Sequence, residues 1–427
     1  MVGLNRVAMI SVHSCPLAPL GGQDTGGMNV YIKELANELG RREIMVDIFT
    51  RLQRHDLPQV VSFGSKARVI HIKAGLSQPY NKNLLWYFLP EFINQVKEFA
   101  RKERIRYDLL HAHYWLSGGV AKELQKDWEV PVIQRFHTLG YLKNMAMDNG
   151  GNREHPLRLR LEKVLMSHVD QLEAATQQGK SDMIKFYEAV PDKVEVIPCG
   201  VNPSIFRPIP KHKARAFLSL SDAKIVLFVG RIDPIKGMET LVKAISILRS
   251  TPGLKLIIIG GSDNSDSEDN QELQRIKALV RKLDISTKVS FLPGQRQEVL
   301  TYYYSAADVL AIPSRYESFG MVALEAMACG TPIVASNVGG LSFTIPDNKA
   351  GFLVPVGDGG SLAEKLDLLL SDKELNFRLG QNGMAWAKNF QWSKVADQEI
   401  LLYNKVIANF NNRYGKNREN TGYFRSS

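Results

Sequence analysis

Short runs of branched apolar residues alternate with amphipathic stretches of helical period along most of this chain, and that alternation leaves few folds open. Val7–Val12, Val46–Thr50, Val69–Ile72, Leu109–His111 and Val132–Gln134 read as strands. Between them the spacing predicts helices over Asn29–Gly40, Asn83–Glu103 and Gly118–Lys126. In the first helix Val30, Leu35, Ala36 and Leu39 share one side, and Lys33, Glu34 and Glu38 the other. Strand–helix–strand units of this kind imply mainly parallel pairing, so the expected class is α/β with a doubly wound sheet.

The rhythm breaks around Pro203–Lys213, where NPSIFRPIPKHK carries three prolines, and the segment reads as a linker. A second series follows. Its strands are Ile225–Val229, Lys255–Ile259, Val289–Phe291, Val309–Ile312 and Ile333–Ala335; its helices are Met238–Leu248, Asn270–Leu283, Leu300–Ser305 and Met321–Cys329. The expectation is two doubly wound domains, 1–205 and 214–384. A helix over Ala385–Phe410 should cross back to the first domain, and the polar segment 411–427 should be a disordered tail. Ser262–Asn270, SDNSDSEDN, is expected to be a flexible acidic loop rather than a metal site.

Charge and cysteine usage exclude several classes. The formal net charge is +10, but no basic run is interleaved with aromatics and no zinc-finger or helix-turn-helix pattern occurs, so nucleic acid is not an expected partner. An anionic small substrate accounts for the charge more simply. Peripheral contact with an anionic membrane is compatible with it but not favoured, and a homodimer is also compatible. No apolar run reaches membrane-spanning length, Met1 leads straight into the first strand, and the three cysteines are widely separated. A cytoplasmic protein without disulfide framework or secretory leader is expected.

Ligands of doubly wound sheets bind beyond the carboxyl ends of the strands, and the residues there are polar. His13 and the run Gly21–Gly27 follow the first strand, His111–Trp115 the fourth, and Phe136–Thr138 the fifth. Gly26-Gly27 opens a helix and leaves backbone amides open to a diphosphate, though the segment has no dinucleotide GxGxxG pattern. In the second domain, Gly230–Gly237 (GRIDPIKG) places two cations, Arg231 and Lys236, on a tight loop suited to a diphosphate leaving group. Ser314–Gly340 holds Glu317 and Glu325 on either side of the turn Ser318-Phe319-Gly320 and the start of an apolar helix, whose amino end favours anions. Lys82, Tyr114, Thr138, Lys143 and Arg160 form a cationic and hydroxyl-bearing set in the first domain. Singly, each of these residues has an ordinary structural explanation; their convergence on strand ends is the signal.

The segments GRIDPIKG, ESFGMVALEAMACGTPIVAS, GGMNVYIKELANELG and FHTLGYLKN together resemble the retaining GT-B glycosyltransferases of glycosyltransferase family 4, over nearly the full length. HYWLSGG, read with GGMNVYI and HTLGYLKN, further resembles the D-inositol-3-phosphate glycosyltransferases, and similar segments occur in sucrose-phosphate synthases. The resemblance implies two Rossmann-like domains facing across a cleft. It implies a UDP-sugar donor, glucose or N-acetylglucosamine, and a small phosphorylated acceptor such as inositol phosphate, with fructose 6-phosphate or a lipid or polysaccharide as alternative acceptors. A silent nucleotide-sugar-binding regulator is the alternative from another class.

By resemblance, Gly26, Gly27, Arg231 and Lys236 hold the donor diphosphate, Glu325 the ribose, Glu317 the sugar, and the Phe319-Gly320-Met321-Val322 turn both sugar and phosphate. His137 contacts the sugar near the reacting carbon, so the catalytic set is His137, Arg231, Lys236 and Glu317. Asn29, Lys82, Tyr114, Thr138 and Arg160 are the implied acceptor contacts. No cofactor or metal is required by these motifs, with Mg2+ left open.

Overall fold

The computed structural model describes residues 4–20, 25–147, 153–261 and 268–420. The first sheet contains β1 (Arg6–Ile10), β2 (Met45–Arg51), β3 (Val60–Phe63), β4 (Ala67–Ile72), β5 (Leu109–His113), β6 (Val132–Arg135), β7 (Gln171–Ala174) and β8 (Val194–Val196). Their spatial order is β3-β4-β2-β1-β5-β6-β7-β8, parallel throughout except for the β3–β4 edge pair. The second sheet contains β9 (Lys224–Val229), β10 (Leu254–Ile259), β11 (Val289–Leu292), β12 (Val309–Ile312), β13 (Ile333–Ser336) and β14 (Gly351–Val354). It is parallel throughout, in the order β11-β10-β9-β12-β13-β14.

Central strands read as unbroken apolar runs because helices cover both faces: Val7, Ala8, Met9 and Ile10 of β1 are all fully buried. The helix Gly27–Arg41 buries Ile32, Leu35, Ala36 and Leu39, spaced i, i+3, i+4, i+7, against the first sheet. Each such Leu or Ile contributes roughly 2 kcal/mol of burial free energy. In both sheets the winding reverses beside the strand that starts it, between β1 and β5 and between β9 and β12. Those reversals open the crevices in which ligands of such sheets bind.

Several expectations need correction. The single helix over Asn83–Glu103 is a 3-10 turn, Lys82–Phe88, followed by an α-helix, Leu89–Lys102. Pro90 explains the break, since its ring and missing N–H suit only a first helical turn. The supposed linker ends earlier than expected: Lys211–Phe217 is a helix that packs on the second domain, with Phe217 stacked on Tyr302 at 4.0 Å and Arg215 paired to Asp308 at 3.0 Å.

The return crossing is also different. Helix Lys373–Ala387, the turn Lys388–Phe390 and helix Trp392–Asn420 replace the continuous Ala385–Phe410. The Val201 N–H donates to the Phe390 carbonyl at 2.7 Å where the chain crosses back. Residues 411–420, expected in a disordered tail, continue the last helix, while 421–427 lie outside the described residues. Most of Ser262–Asn270 lies outside them too; 268–270 begin the helix Glu268–Lys282. Among the described residues no helix is long and apolar enough to cross a membrane.

Candidate active site

A cleft with a cavity volume of about 310 Å³ lies between the two sheets, lined by both domains. One wall is built at the β9/β12 reversal. The chain leaves β9 through Arg231, Asp233 caps the turn Pro234–Lys236 by accepting from the Ile235 N–H at 3.0 Å, and Gly237 follows with φ +69°. A Cβ at Gly237 would stand 1.9 Å from the Pro313 carbonyl, so this position admits only glycine. The close approach lets the loops after β9 and β12 lie together, with the Arg315 N–H donating to the Ile235 carbonyl at 2.8 Å. Two sequence-distant charges thereby meet: Lys236 Nζ is 2.5 Å from Glu317 Oε2. Arg231 lines the same wall, 3.6 Å from Asp233. Behind Glu317, the Gly340 N–H donates to the Glu317 carbonyl at 2.8 Å and fixes the loop.

Gly320 and the helix Met321–Ala328 continue this wall, and Phe319, Gly320, Met321 and Val322 face the cleft. The first amides of that helix lack intrahelical partners and present the positive end of its dipole. Glu325 sits one turn in, 7% exposed, and accepts from Tyr304 Oη at 2.7 Å. Burial pushes its carboxyl up to about 7, against the opposing pull of Tyr304 and Gln297.

A linkage effect follows. The unfolded chain loses this proton near the ordinary 4.5, the folded protein only near 7, so the stabilisation is full below about 4.5 and is lost as pH rises through about 7. At full extent it is worth roughly 3 kcal/mol. In thermal melts between about pH 5 and about pH 8, the wild type should lose more stability than Glu325→Gln, which has no proton to lose. Parallel profiles for the two proteins would show that Glu325 titrates normally.

The opposite wall belongs to the first domain. Gly27 opens the helix Gly27–Arg41 directly across from Met321; a Cβ there would come within 3.3 Å of Met321 Sδ. Asn29, expected to touch an acceptor, lines the cleft and also holds the loop around it. It is 1% exposed, its Oδ1 accepts from the Gly26 N–H at 3.0 Å, and its Nδ2 donates to Ser14 Oγ and the Cys15 carbonyl at 2.7 and 2.8 Å. It pins the glycine loop to the end of β1. The neighbouring Gly21–Asp24 lie outside the described residues.

His137, after β6, has φ +60° in a three-residue turn closed by the Thr138 N–H on the Phe136 carbonyl at 2.7 Å. Such a conformation costs about 1–3 kcal/mol and is typical of functional sites. Burial, with Arg135 and His111 nearby, holds its ring well below the usual imidazole range, so it is neutral.

At the far end of the cleft, Lys82, Tyr114, Thr138 and Lys143 line the wall. The cation behind them is Arg158, not Arg160. Arg158 is fully buried; it donates to Tyr114 Oη at 3.0 Å and to the Thr138 carbonyl and Oγ1 at 2.7 and 3.1 Å. Arg160, two residues on along the helix Pro156–His168, faces nearly the opposite way and is exposed. The missed signal was the four-residue spacing of Arg158 and Glu162, which puts the pair on one face; they meet at 2.7 Å.

Glu154 bonds Lys143 and also meets Arg158 at 2.8 Å. Although burial opposes it, these cations hold its carboxyl down at about 2. Lys82, Lys143 and Arg158 thus outnumber Glu154 and Glu162, leaving a net positive end fit for a phosphate.

Residues 25–205 match the family Glycosyltransferase Family 4, and residues 211–386 match Glycosyl transferases group 1. The chain is 37% identical over 413 residues to the D-inositol 3-phosphate glycosyltransferase of Corynebacterium glutamicum (strain R), spanning 95% of this chain and 98% of that one. It is 38% identical over 414 residues to the enzyme of the same name from Nocardia farcinica, spanning 95% and 90%. Sucrose-phosphate synthase from Thermosynechococcus elongatus superposes with a TM-score of 0.88 at 36% identity, over 95% of this chain and 99% of that one. Anabaena HepE, solved with UDP and glucose, superposes with a TM-score of 0.74 at 19% identity, over 94% of this chain and 100% of that one, a likeness of fold alone.

Proposed function

This chain belongs to the glycosyltransferases of family 4, and from that membership we propose that it moves a hexosyl group, glucose or N-acetylglucosamine, from a UDP-sugar to a small phosphorylated acceptor such as inositol phosphate, with retention at the anomeric carbon. The observation that carries the reading is the single wall on which Arg231, Lys236, Glu317 and the amino end of helix Met321–Ala328 converge, opposite Gly27 and His137.

The diphosphate lies against Arg231, Lys236 and the helix amides, which stabilise the negative charge as it leaves. Its arrival draws Lys236 from Glu317 and frees that carboxylate for sugar hydroxyls. Glu325 takes the ribose hydroxyls. At the far end the acceptor phosphate meets Lys82, Tyr114, Thr138 and, behind them, Arg158.

A two-step route would need a carboxylate nucleophile on the face of the sugar away from the diphosphate. Among the described residues lining the cleft the carboxylates are Glu317 and Glu325, one tied to Lys236 and the other set deep beside Tyr304. The reading is therefore attack from the leaving-group side. The bond from the anomeric carbon to the phosphate oxygen breaks, that to the acceptor oxygen forms, and the acceptor proton passes to the departing phosphate.

The likeness to sucrose-phosphate synthase favours a second acceptor, fructose 6-phosphate. A UDP-release screen separates the two, crossing UDP-glucose and UDP-N-acetylglucosamine with inositol phosphates, fructose 6-phosphate and glycerol phosphate. Inositol phosphate should give the fastest release with one of the two donors. Release driven only by fructose 6-phosphate would transfer the assignment to the second reading, and no acceptor-dependent release from any pair would overturn both.

A further inference from the structure

His113 ends β5 directly behind the cleft wall, and the mechanism above gives it no part. It is fully buried, and its Nδ1 lies 3.1 Å from Nε2 of His137. Both rings are neutral: burial and the neighbouring His111 and His137 depress His113, as burial, Arg135 and His111 depress His137. Two neutral imidazoles at that distance share one N–H, which leaves two arrangements.

In one, His137 donates from Nε2 and His113 carries its own proton on Nε2. That atom is buried and has no hydrogen-bond partner among the described residues, so the arrangement would orphan an N–H donor. In the other, His113 donates from Nδ1 and its Nε2 is a bare lone pair. Orphaned buried donors are rarer and costlier than orphaned acceptors, which favours the second arrangement. His137 then carries its proton on Nδ1. That nitrogen makes no hydrogen bond to the described residues either, but His137 is only half-buried and lines the cleft, so its N–H is open to water or a ligand rather than orphaned.

We propose that His113 is a positioning residue for glycosyl transfer: by donating its Nδ1 hydrogen to His137 Nε2 it locks His137 into the Nδ1–H tautomer, so that the ring offers a hydrogen-bond donor to an oxygen of the transferring sugar. The strained turn at His137 aims the ring, and His113 sets which of its nitrogens carries hydrogen. The proposal rests on the reading of His137 as a donor-sugar contact.

The tautomer is tested on the free, full-length protein labelled with 15N-histidine, using two-bond 1H–15N correlations, with His137→Asn to identify the ring signals. A protonated Nδ1 and bare Nε2 at His137 are expected; a protonated Nε2 would overturn the proposal. This measurement needs no substrate, so it stands apart from the donor reading, which the UDP-release screen tests separately.

Activity gives a second readout. His113→Asn places an amide nitrogen close to where Nδ1 stood and should keep most of the wild-type kcat. His113→Leu should lose roughly ten-fold, the size of one buried hydrogen bond. Equal losses in the two variants would make His113 a packing residue and overturn the proposal.

Discussion

Replacing Lys236 by Ala should lower kcat for UDP-sugar turnover by roughly 10²–10³-fold, and Arg231→Ala should fall in the same range, the usual scale for removing one preorganised group from a site of developing charge. The expectation follows from where the two cations stand. Both leave β9 on a loop whose Gly237 permits contact with the end of β12, and Lys236 already neutralises Glu317 across that contact. Removing Lys236 takes charge from the leaving diphosphate and leaves Glu317 repelling it.

Arg231→Lys should retain more activity than Arg231→Ala but less than wild type, because an ammonium keeps the charge without the planar fork. UDP release by the purified variants checks this. Normal turnover by both Ala variants would remove the leaving-group account.

The second large effect concerns stability. Beneath the cleft, Glu173 of β7 and Glu399 of the last helix are both fully buried in a polar cluster. Glu173 meets Arg135 at 3.3 Å and His111 at 3.4 Å, while Glu399 accepts from Tyr31 Oη and Tyr403 Oη meets His111 Nδ1 at 2.7 Å. Burial raises both carboxyls, but His111 and Arg135 override it at Glu173 and hold it below the usual carboxylate range. Burial and the adjacent Glu173 push Glu399 well up, so it keeps its proton.

Glu173→Leu strands the buried Arg135 guanidinium and should cost roughly 3–5 kcal/mol. Glu399→Gln replaces a neutral acid with a neutral amide and should cost about 1 kcal/mol or less. Calorimetric melting of the two variants checks the assignment. Equal losses would mean that Glu399 is ionised.

The alternation of apolar runs with helical stretches made the doubly wound class legible, because sheets buried on both faces leave that imprint on composition. Arg231, Lys236, Glu317 and Glu325 stood out for a related reason: each follows a strand or opens a helix, so local pattern alone brings it to a sheet's carboxyl edge. Arg158 did not: its spacing to Glu162 pairs the two on one face, but only the packing of helix Pro156–His168 against Tyr114 and Thr138 shows that this face backs the cleft. Asn29 lines the cleft as its polarity suggests, but that it also ties the glycine loop to the end of β1 is visible only in the hydrogen-bond geometry. The pairing of Glu173 with Glu399 was beyond local reasoning altogether, because it exists only once the last helix has crossed back to the first domain.

The most direct test of the proposed reaction is to follow it by 1H NMR with an α-linked UDP-sugar and the best acceptor from the screen, reading the anomeric coupling of the first-formed product. An α-linked product appearing in step with UDP is predicted. A β-linked first product, or sugar released to water with no glycosylated acceptor, would contradict it.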